Sequence, residues 1–140
     1  MFRNLLRGGD IKVRLVFCYG TLRHGESNHS VIKGAILRET TSWTKGTLYD
    51  TRNGYPALIE SDEGKVYGEV YEVNEQHLER IDILEGFQEG RNHNLYDRIV
   101  RTIESKNGNY EAITYVMREP EDHFIEIEGG DWGLYRNKLS

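Results

Sequence analysis

Arg14-Leu15-Val16-Phe17-Cys18-Tyr19, running directly into Gly20-Thr21-Leu22-Arg23, is the stretch that decides how this chain folds. RLVFCY is a near-continuous apolar run with no polar alternation to mark a solvent face, and it is short for a helix. It suits a central strand buried on both sides. The run ends at Gly20, and a polar loop rich in Gly, Ser and Asn follows as far as Ser30. A buried strand that opens at a glycine can turn sharply and expose successive backbone N–H groups. Such a concavity binds an anion, for example a carboxylate, without any charged side chain. An ordinary strand-to-turn junction has the same spacing, so spacing alone leaves both readings open.

Outward from this run the chain is strand-rich. Trp43–Tyr49, Ala57–Glu60 and Val66–Val73 read as strands, with turns at Asn53-Gly54 and Glu63-Gly64. Glu75–Glu85 reads as a helix. Asn74 is its N-cap, Leu78, Ile81 and Leu84 recur at helical spacing, and Gly86 is the stop. Tyr96–Ile103 and Tyr110–Met117 then form a hairpin around Asn107-Gly108. In the tail, Gly129-Gly130 precedes a Trp132/Tyr135 pair expected to pack back on the domain, with Trp132 in the core. Many strands and few helices, without βαβ alternation, give an α+β class. A small curled antiparallel or mixed sheet, closing toward a barrel, buries its edges best.

Length and charge narrow the function. A chain of 140 residues fits one domain. We assign residues 15–140 to that domain and residues 1–14 to an N-terminal arm, frayed or added as an edge extension. Net charge is −5 and basic residues are scattered, which argues against nucleic acid or an anionic membrane as the main partner. Cys18 is the single cysteine, so no internal disulfide forms. MFRNLLRGGDIKVR contains no apolar stretch of signal or membrane-spanning length, and a cytoplasmic location is the expectation. Tyrosine carries most of the aromatic content; it fits both strand packing and a partly wet pocket.

Two sets of residues bear on chemistry. In Asp82-Ile83-Leu84-Glu85-Gly86, positions 82 and 85 share a helix face, so their carboxylates are expected to lie close together. Like charge would raise the pKa of at least one, and the helix C-terminus pushes Glu85 the same way. That makes a general base suited to neutral pH. The same pair also occurs on solvated helix faces. The histidines (His24, His29, His77, His93, His123) have no metal-ligand spacing, and Cys18 inside an apolar run reads as inert core. No metal site is expected.

Phe17-Cys18-Tyr19-Gly20-Thr21-Leu22-Arg23, followed by Gly25 and Asn28, resembles the opening signature of the γ-glutamylcyclotransferase-like family. Asp82-x-x-Glu85-Gly86-Phe87, followed by Tyr96-x-Arg98, resembles its second signature, and Ile127–Trp132 (IEGGDW) is similar to the C-terminal end of its bacterial, AIG2-like members. The resemblance implies a small mixed β-barrel with flanking helices. The activity it implies is cofactor-independent cleavage of a γ-glutamyl amide, with cyclisation to 5-oxoproline and release of an amine. Matched by position, Glu85 falls on the catalytic acid/base, and Tyr19, Gly20, Thr21 and Leu22 fall on the substrate-holding loop. Tyr96 and Arg98 also fit the pattern: the Tyr96 hydroxyl can donate to the substrate with Arg98 on the same side of the strand, or Tyr96 packs within the strand and Arg98 forms an ion pair. Cys18 departs from the usual β-branched residue without touching the chemistry, and Gln88–Asn94 varies within the family at the pocket mouth.

Three alternatives stand beside this reading. The same cavity can hold a γ-glutamyl or amino-acid-like small molecule without turning it over. Glu85 can instead activate water in an amidase, releasing glutamate rather than 5-oxoproline. The N-terminal arm can serve an interaction role. The amine attached to the γ-glutamyl group and the oligomeric state are left open.

Overall fold

The computed structural model describes residues 5–7 and 11–139; residues 1–4 and 8–10 of the expected arm lie outside the described residues. Strand β1 (Leu5–Arg7) pairs antiparallel with the start of β2 (Ile11–Cys18). β2 therefore begins before the arm boundary placed at residue 14. A 3-10 turn (His29–Ile32) precedes β3 (Ile36–Lys45), and β4 (Thr47–Asp50), β5 (Pro56–Ile59) and β6 (Lys65–Val73) follow. Helix α1 (Glu75–Leu84), β7 (Asp97–Ser105), β8 (Gly108–Val116), β9 (Ile125–Glu126) and α2 (Trp132–Leu139) complete the chain.

β2, β6, β3, β7 and β8 run antiparallel in that order, and β8 pairs in parallel with β2 at Val16 and Ile113. That last pairing closes the sheet. The result is a five-stranded mixed barrel with two α-helices, as the resemblance implied. Closure removes the free edges that a small open sheet would expose. β5, β4 and β9 form a separate three-stranded sheet.

The apolar run behaves as its composition dictates. Val16 and Cys18 pack in one core cluster, with Leu78 and Ile81 of α1, while Phe17 and Tyr19 pack in another, with Trp132 of the tail. Successive side chains of a strand point to opposite faces, so a strand buried on both faces cannot alternate with polar residues. α1 starts as expected. The Asn74 side chain accepts from the His77 N–H at 2.9 Å, and the His77 ring returns a bond to the Asn74 N–H at 3.1 Å. The other ring nitrogen of His77 meets the Lys33 carbonyl at 2.8 Å, so this histidine is spent on structure.

Three expectations need adjusting. The strand placed at Trp43–Tyr49 is two strands, because Gly46 (φ +154°) breaks it and sends β4 into the second sheet. β3 also begins well before Trp43, at Ile36. In the hairpin, Ser105 pairs with Gly108, so Lys106-Asn107 is the turn and Gly108 opens β8.

Candidate active site

A pocket opens beside the end of β2. It is lined by the loop residues Tyr19, Gly20, Thr21 and Leu22, by Leu84 and Glu85 from the end of α1, and by Tyr55, Pro56, Leu95, Tyr96 and Tyr115. Glu85, Tyr19, Gly20, Thr21, Leu22 and Tyr96 therefore line one cavity, while Asp82 and Arg98 do not. The cavity volume is about 90 Å³. That suits a small acyl group held inside with its leaving group at the mouth.

Glu85 caps α1, with its N–H on the Ile81 carbonyl at 2.8 Å, and Gly86 (φ +65°) turns the chain out of the helix. The carboxylate keeps some exposure at the cavity yet is crowded enough that desolvation pushes its pKa up to about 7. The expected cause is corrected here: burial raises it, not Asp82. The Asp82 carboxylate is paired elsewhere, accepting from Arg98 at 2.7 Å and from the Tyr115 hydroxyl at 2.6 Å. Arg98 also lies over the Phe87 ring at 4.9 Å, so its ion pair is formed and it does not line the pocket.

The loop after β2 is folded on itself. Arg23 N–H reaches the Gly20 carbonyl at 3.1 Å, and Asn28 bonds Thr21 through both backbone (2.9 Å) and side chain (3.0 Å). Among the described residues, no hydrogen bond within the chain engages the N–H groups of Gly20, Thr21 or Leu22. Unpaired main-chain donors beside a cavity are an anion site in waiting. Glycine at position 20 is demanded by packing, since a Cβ there would lie 2.7 Å from the Pro56 ring.

The tyrosines are more constrained than expected. The Tyr19 hydroxyl donates to the Tyr115 carbonyl at 2.6 Å and accepts from the Leu58 N–H at 3.2 Å. The Tyr96 hydroxyl donates to the Pro56 carbonyl at 2.5 Å, so its proton is not free for a substrate. Burial pushes both phenols' pKa up, with the nearby Glu85 adding to it for Tyr19, and Tyr19 then Glu85 adding to it for Tyr96. Both offer their rings as walls. Tyr55 and Tyr115, which the sequence reading left among the general strand tyrosines, complete those walls, and no spacing pattern marks them. Cys18 is also at the wall but only 2 % exposed, and burial together with the Glu69 and Glu85 charges pushes its thiol pKa up. Among the described residues no cluster of metal-ligating side chains forms, and no helix is long and apolar enough to cross a membrane.

A desolvated carboxylate lining one small pocket with residues whose main-chain N–H groups are unpaired is an arrangement suited to acid–base chemistry. The family model for "Gamma-glutamyl cyclotransferase, AIG2-like" matches residues 16–134, and the chain belongs to that family. It is 42% identical over 129 residues to the γ-L-glutamyl-butirosin B γ-glutamyl cyclotransferase of Niallia circulans, spanning 91% of this chain and 81% of that one. It is 32% identical to the γ-glutamylcyclotransferase family protein YtfP of Escherichia coli K12, covering 88% of this chain and 98% of the relative. Among solved structures, YkqA of Bacillus subtilis superposes with a TM-score of 0.73 at 30% identity, over 91% of this chain and 43% of its own. An AIG2-like mouse protein shares the fold at a TM-score of 0.64 and 24% identity, over 75% of this chain and 77% of its own. Family membership makes the chain an enzyme of the γ-glutamylcyclotransferase type.

Proposed function

We propose that this chain cleaves γ-glutamyl amides by intramolecular cyclisation, with Glu85 as the general acid/base and the Gly20–Leu22 N–H groups as the cradle for the substrate's α-carboxylate. The observation that supports it is Glu85, with a pKa near 7, lining one small cavity together with Gly20, Thr21 and Leu22, whose main-chain N–H groups are unpaired.

The α-amine of a γ-glutamyl substrate is an ammonium at neutral pH. Glu85 takes one proton, and the freed nitrogen attacks the γ-carbonyl carbon to close a five-membered ring. The γ-carbon–nitrogen bond then breaks as Glu85 returns its proton to the departing amine; Glu85 next takes the second proton from the ring nitrogen, and the released amine carries it away as an ammonium. Products are 5-oxoproline and a free amine; no water, metal or organic cofactor enters the balance. A pKa near 7 suits these transfers. Ring closure is unimolecular, so holding the glutamyl chain bent can lower the barrier by about 7–11 kcal/mol. The tyrosine walls exclude water from the bent chain. The Tyr96 and Tyr19 rings contribute shape, while their hydroxyls serve the backbone.

The test is a 5-oxoproline assay of wild type and Glu85→Gln on glutathione, γ-glutamyl dipeptides and γ-glutamyl-ε-lysine. The name of the Niallia relative supports adding γ-glutamyl-butirosin B to that panel. Wild type is expected to release 5-oxoproline, and the variant to lose about 10²–10⁴-fold in rate. Free glutamate would mean hydrolysis. Ligand-induced thermal stabilisation with no product from any substrate would mean a binding domain.

A further inference from the structure

The proposed chemistry uses the first four residues of Tyr19-Gly20-Thr21-Leu22-Arg23 and leaves Arg23 and the tail segment IEGGDW unexplained. The structure brings these two together. Arg23 lies between two carboxylates, 3.0 Å from Asp131 Oδ1 and 3.7 Å from Glu69 Oε2. Glu69, on β6, also accepts the His24 N–H at 2.9 Å and the Tyr71 hydroxyl at 2.8 Å. Glu26 accepts from the Trp132 indole N–H at 3.1 Å and from Arg136 at 3.3 Å. Asp131 in turn accepts the Leu134 N–H at 3.1 Å, so the carboxylate that caps α2 is also the one that meets Arg23.

The tail is itself fixed to the barrel. The Gly130 carbonyl accepts from the Tyr67 N–H at 2.9 Å, and a Cβ at Gly130 would fall 1.8 Å from the Lys65 carbonyl oxygen. Trp132 is 2 % exposed and stacks on Tyr135 at 5.9 Å. The loop's own bonds, Asn28 to Thr21 and the His29 ring at the Leu22 carbonyl, give it a shape. They do not fix where that shape stands relative to Glu85. None of Arg23, Glu26, Asp131 and Trp132 lines the pocket.

We propose that Arg23, Glu26, Asp131 and Trp132 form a clamp from the C-terminal tail that positions the Gly20–Leu22 N–H groups for the substrate carboxylate. These are positioning residues, and the inference rests on the reading of that loop as the carboxylate cradle. A cradle that slackens weakens ground state and transition state alike, which raises KM and leaves kcat. The Glu26 contacts matter for a second reason: breaking them leaves the Arg23 charge in place. An effect there cannot be a loss of electrostatic attraction by Arg23.

The experiment uses the full chain and measures kcat and KM with the best γ-glutamyl substrate, together with amide hydrogen exchange at Arg23, His24 and Asn28, whose N–H groups are hydrogen-bonded in the loop. Arg23→Met is expected to raise KM about tenfold with kcat within about twofold, the split left when binding alone is lost. Exchange at Arg23, His24 and Asn28 rises, while that of Val16 and Val70 does not. Glu26→Ala moves KM and loop exchange the same way. Glu26→Gln, whose amide oxygen still accepts from Trp132, restores both, and this pair decides the matter if Arg23→Met fails to fold. Unchanged KM and loop exchange, faster exchange throughout the barrel, or Glu26→Gln matching Glu26→Ala would overturn the clamp. Wild type without turnover on any γ-glutamyl substrate would instead defeat the reading of the cradle, and loop exchange in the variants would still decide the clamp.

Discussion

Replacing Glu85 by glutamine should make the protein inactive and, above neutral pH, more stable. The folded-state pKa is about 7, against an ordinary 4.5, and desolvation is the cause. Between these values the native state holds a proton that the unfolded chain has already released. Stability therefore falls as pH rises through that window, and the loss is complete above the folded pKa. At about 1.4 kcal/mol for each pKa unit, the penalty at about pH 8 is on the order of 3 kcal/mol. Glutamine has the same shape and no charge, so its variant lacks this slope.

Thermal melts of both proteins from about pH 4 to pH 8.5 at one ionic strength should coincide at the acid end and separate toward the alkaline end. The gap should reach roughly 10 °C in favour of Glu85→Gln for a domain of this size. In the same buffers, wild-type kcat/KM should climb with an apparent pKa near 7, reaching about a tenth of its plateau one unit below. Parallel melting curves, or a variant less stable than wild type at the alkaline end, would refute the desolvation argument. A variant that releases 5-oxoproline at the wild-type rate would refute the role of the base.

Three further outcomes follow from contacts elsewhere. Gly130→Ala puts a Cβ 1.8 Å from the Lys65 carbonyl oxygen at φ +66°, where backbone meets backbone and neither can yield; urea unfolding should show a loss of at least about 3 kcal/mol, as for other severe backbone clashes. Tyr96→Phe removes the hydroxyl that satisfies the buried Pro56 carbonyl, and denaturation should report a loss of about 1–3 kcal/mol for the orphaned acceptor. Cys18, 2 % exposed and with its thiol pKa pushed up, should resist iodoacetamide in the native protein and react fully in denaturant, read by mass spectrometry.

What could be read from sequence tracks how much local pattern each element carries. RLVFCY was legible because both faces of β2 are buried, and α1 because Asn74, Leu78, Ile81 and Gly86 each speak for the same helix. The first half of β3 was not. Arg38, Glu39, Thr40 and Thr41 show no alternation, and two register shifts against β6 break whatever period remained. α2 was missed as a helix because Leu134 and Leu139 point outward, leaving Trp132 and Tyr135 as its inward side. Its place comes from long-range bonds, Trp132 to Glu26 and Arg23 to Asp131, that no local window contains. Within the site, Tyr19, Gly20, Thr21, Leu22, Glu85 and Tyr96 reach the cavity from the signatures, whereas Arg23, Arg98 and the IEGGDW segment do not, and Tyr55 and Tyr115 arrive there only through tertiary closure.

Asp82 and Glu85 show why spacing misled where the motif did not. Three residues apart on a helix they should be neighbours, but the helix ends at Leu84, and the Glu85 backbone (φ −83°, ψ −1°) already begins the exit toward Gly86. Asp82 is drawn the other way by two donors from the barrel, Arg98 just inside β7 and Tyr115 in β8. The Asp82 carboxylate, with these two donors, is engaged in structure. A carboxylate left at the cavity, with desolvation as the cause acting on it, is held near neutrality in pKa and available for proton transfer. The pairing of Asp82 with Arg98 thus does two things. It ties the end of α1 to the barrel, and it takes a second negative charge away from the base. Asp82→Asn would weaken the tether without adding charge near Glu85, so the acidic limb of the activity profile should stay near pH 7 while turnover falls with the loosened helix end. A limb shifted by a full unit in that variant would mean that the two carboxylates are coupled after all.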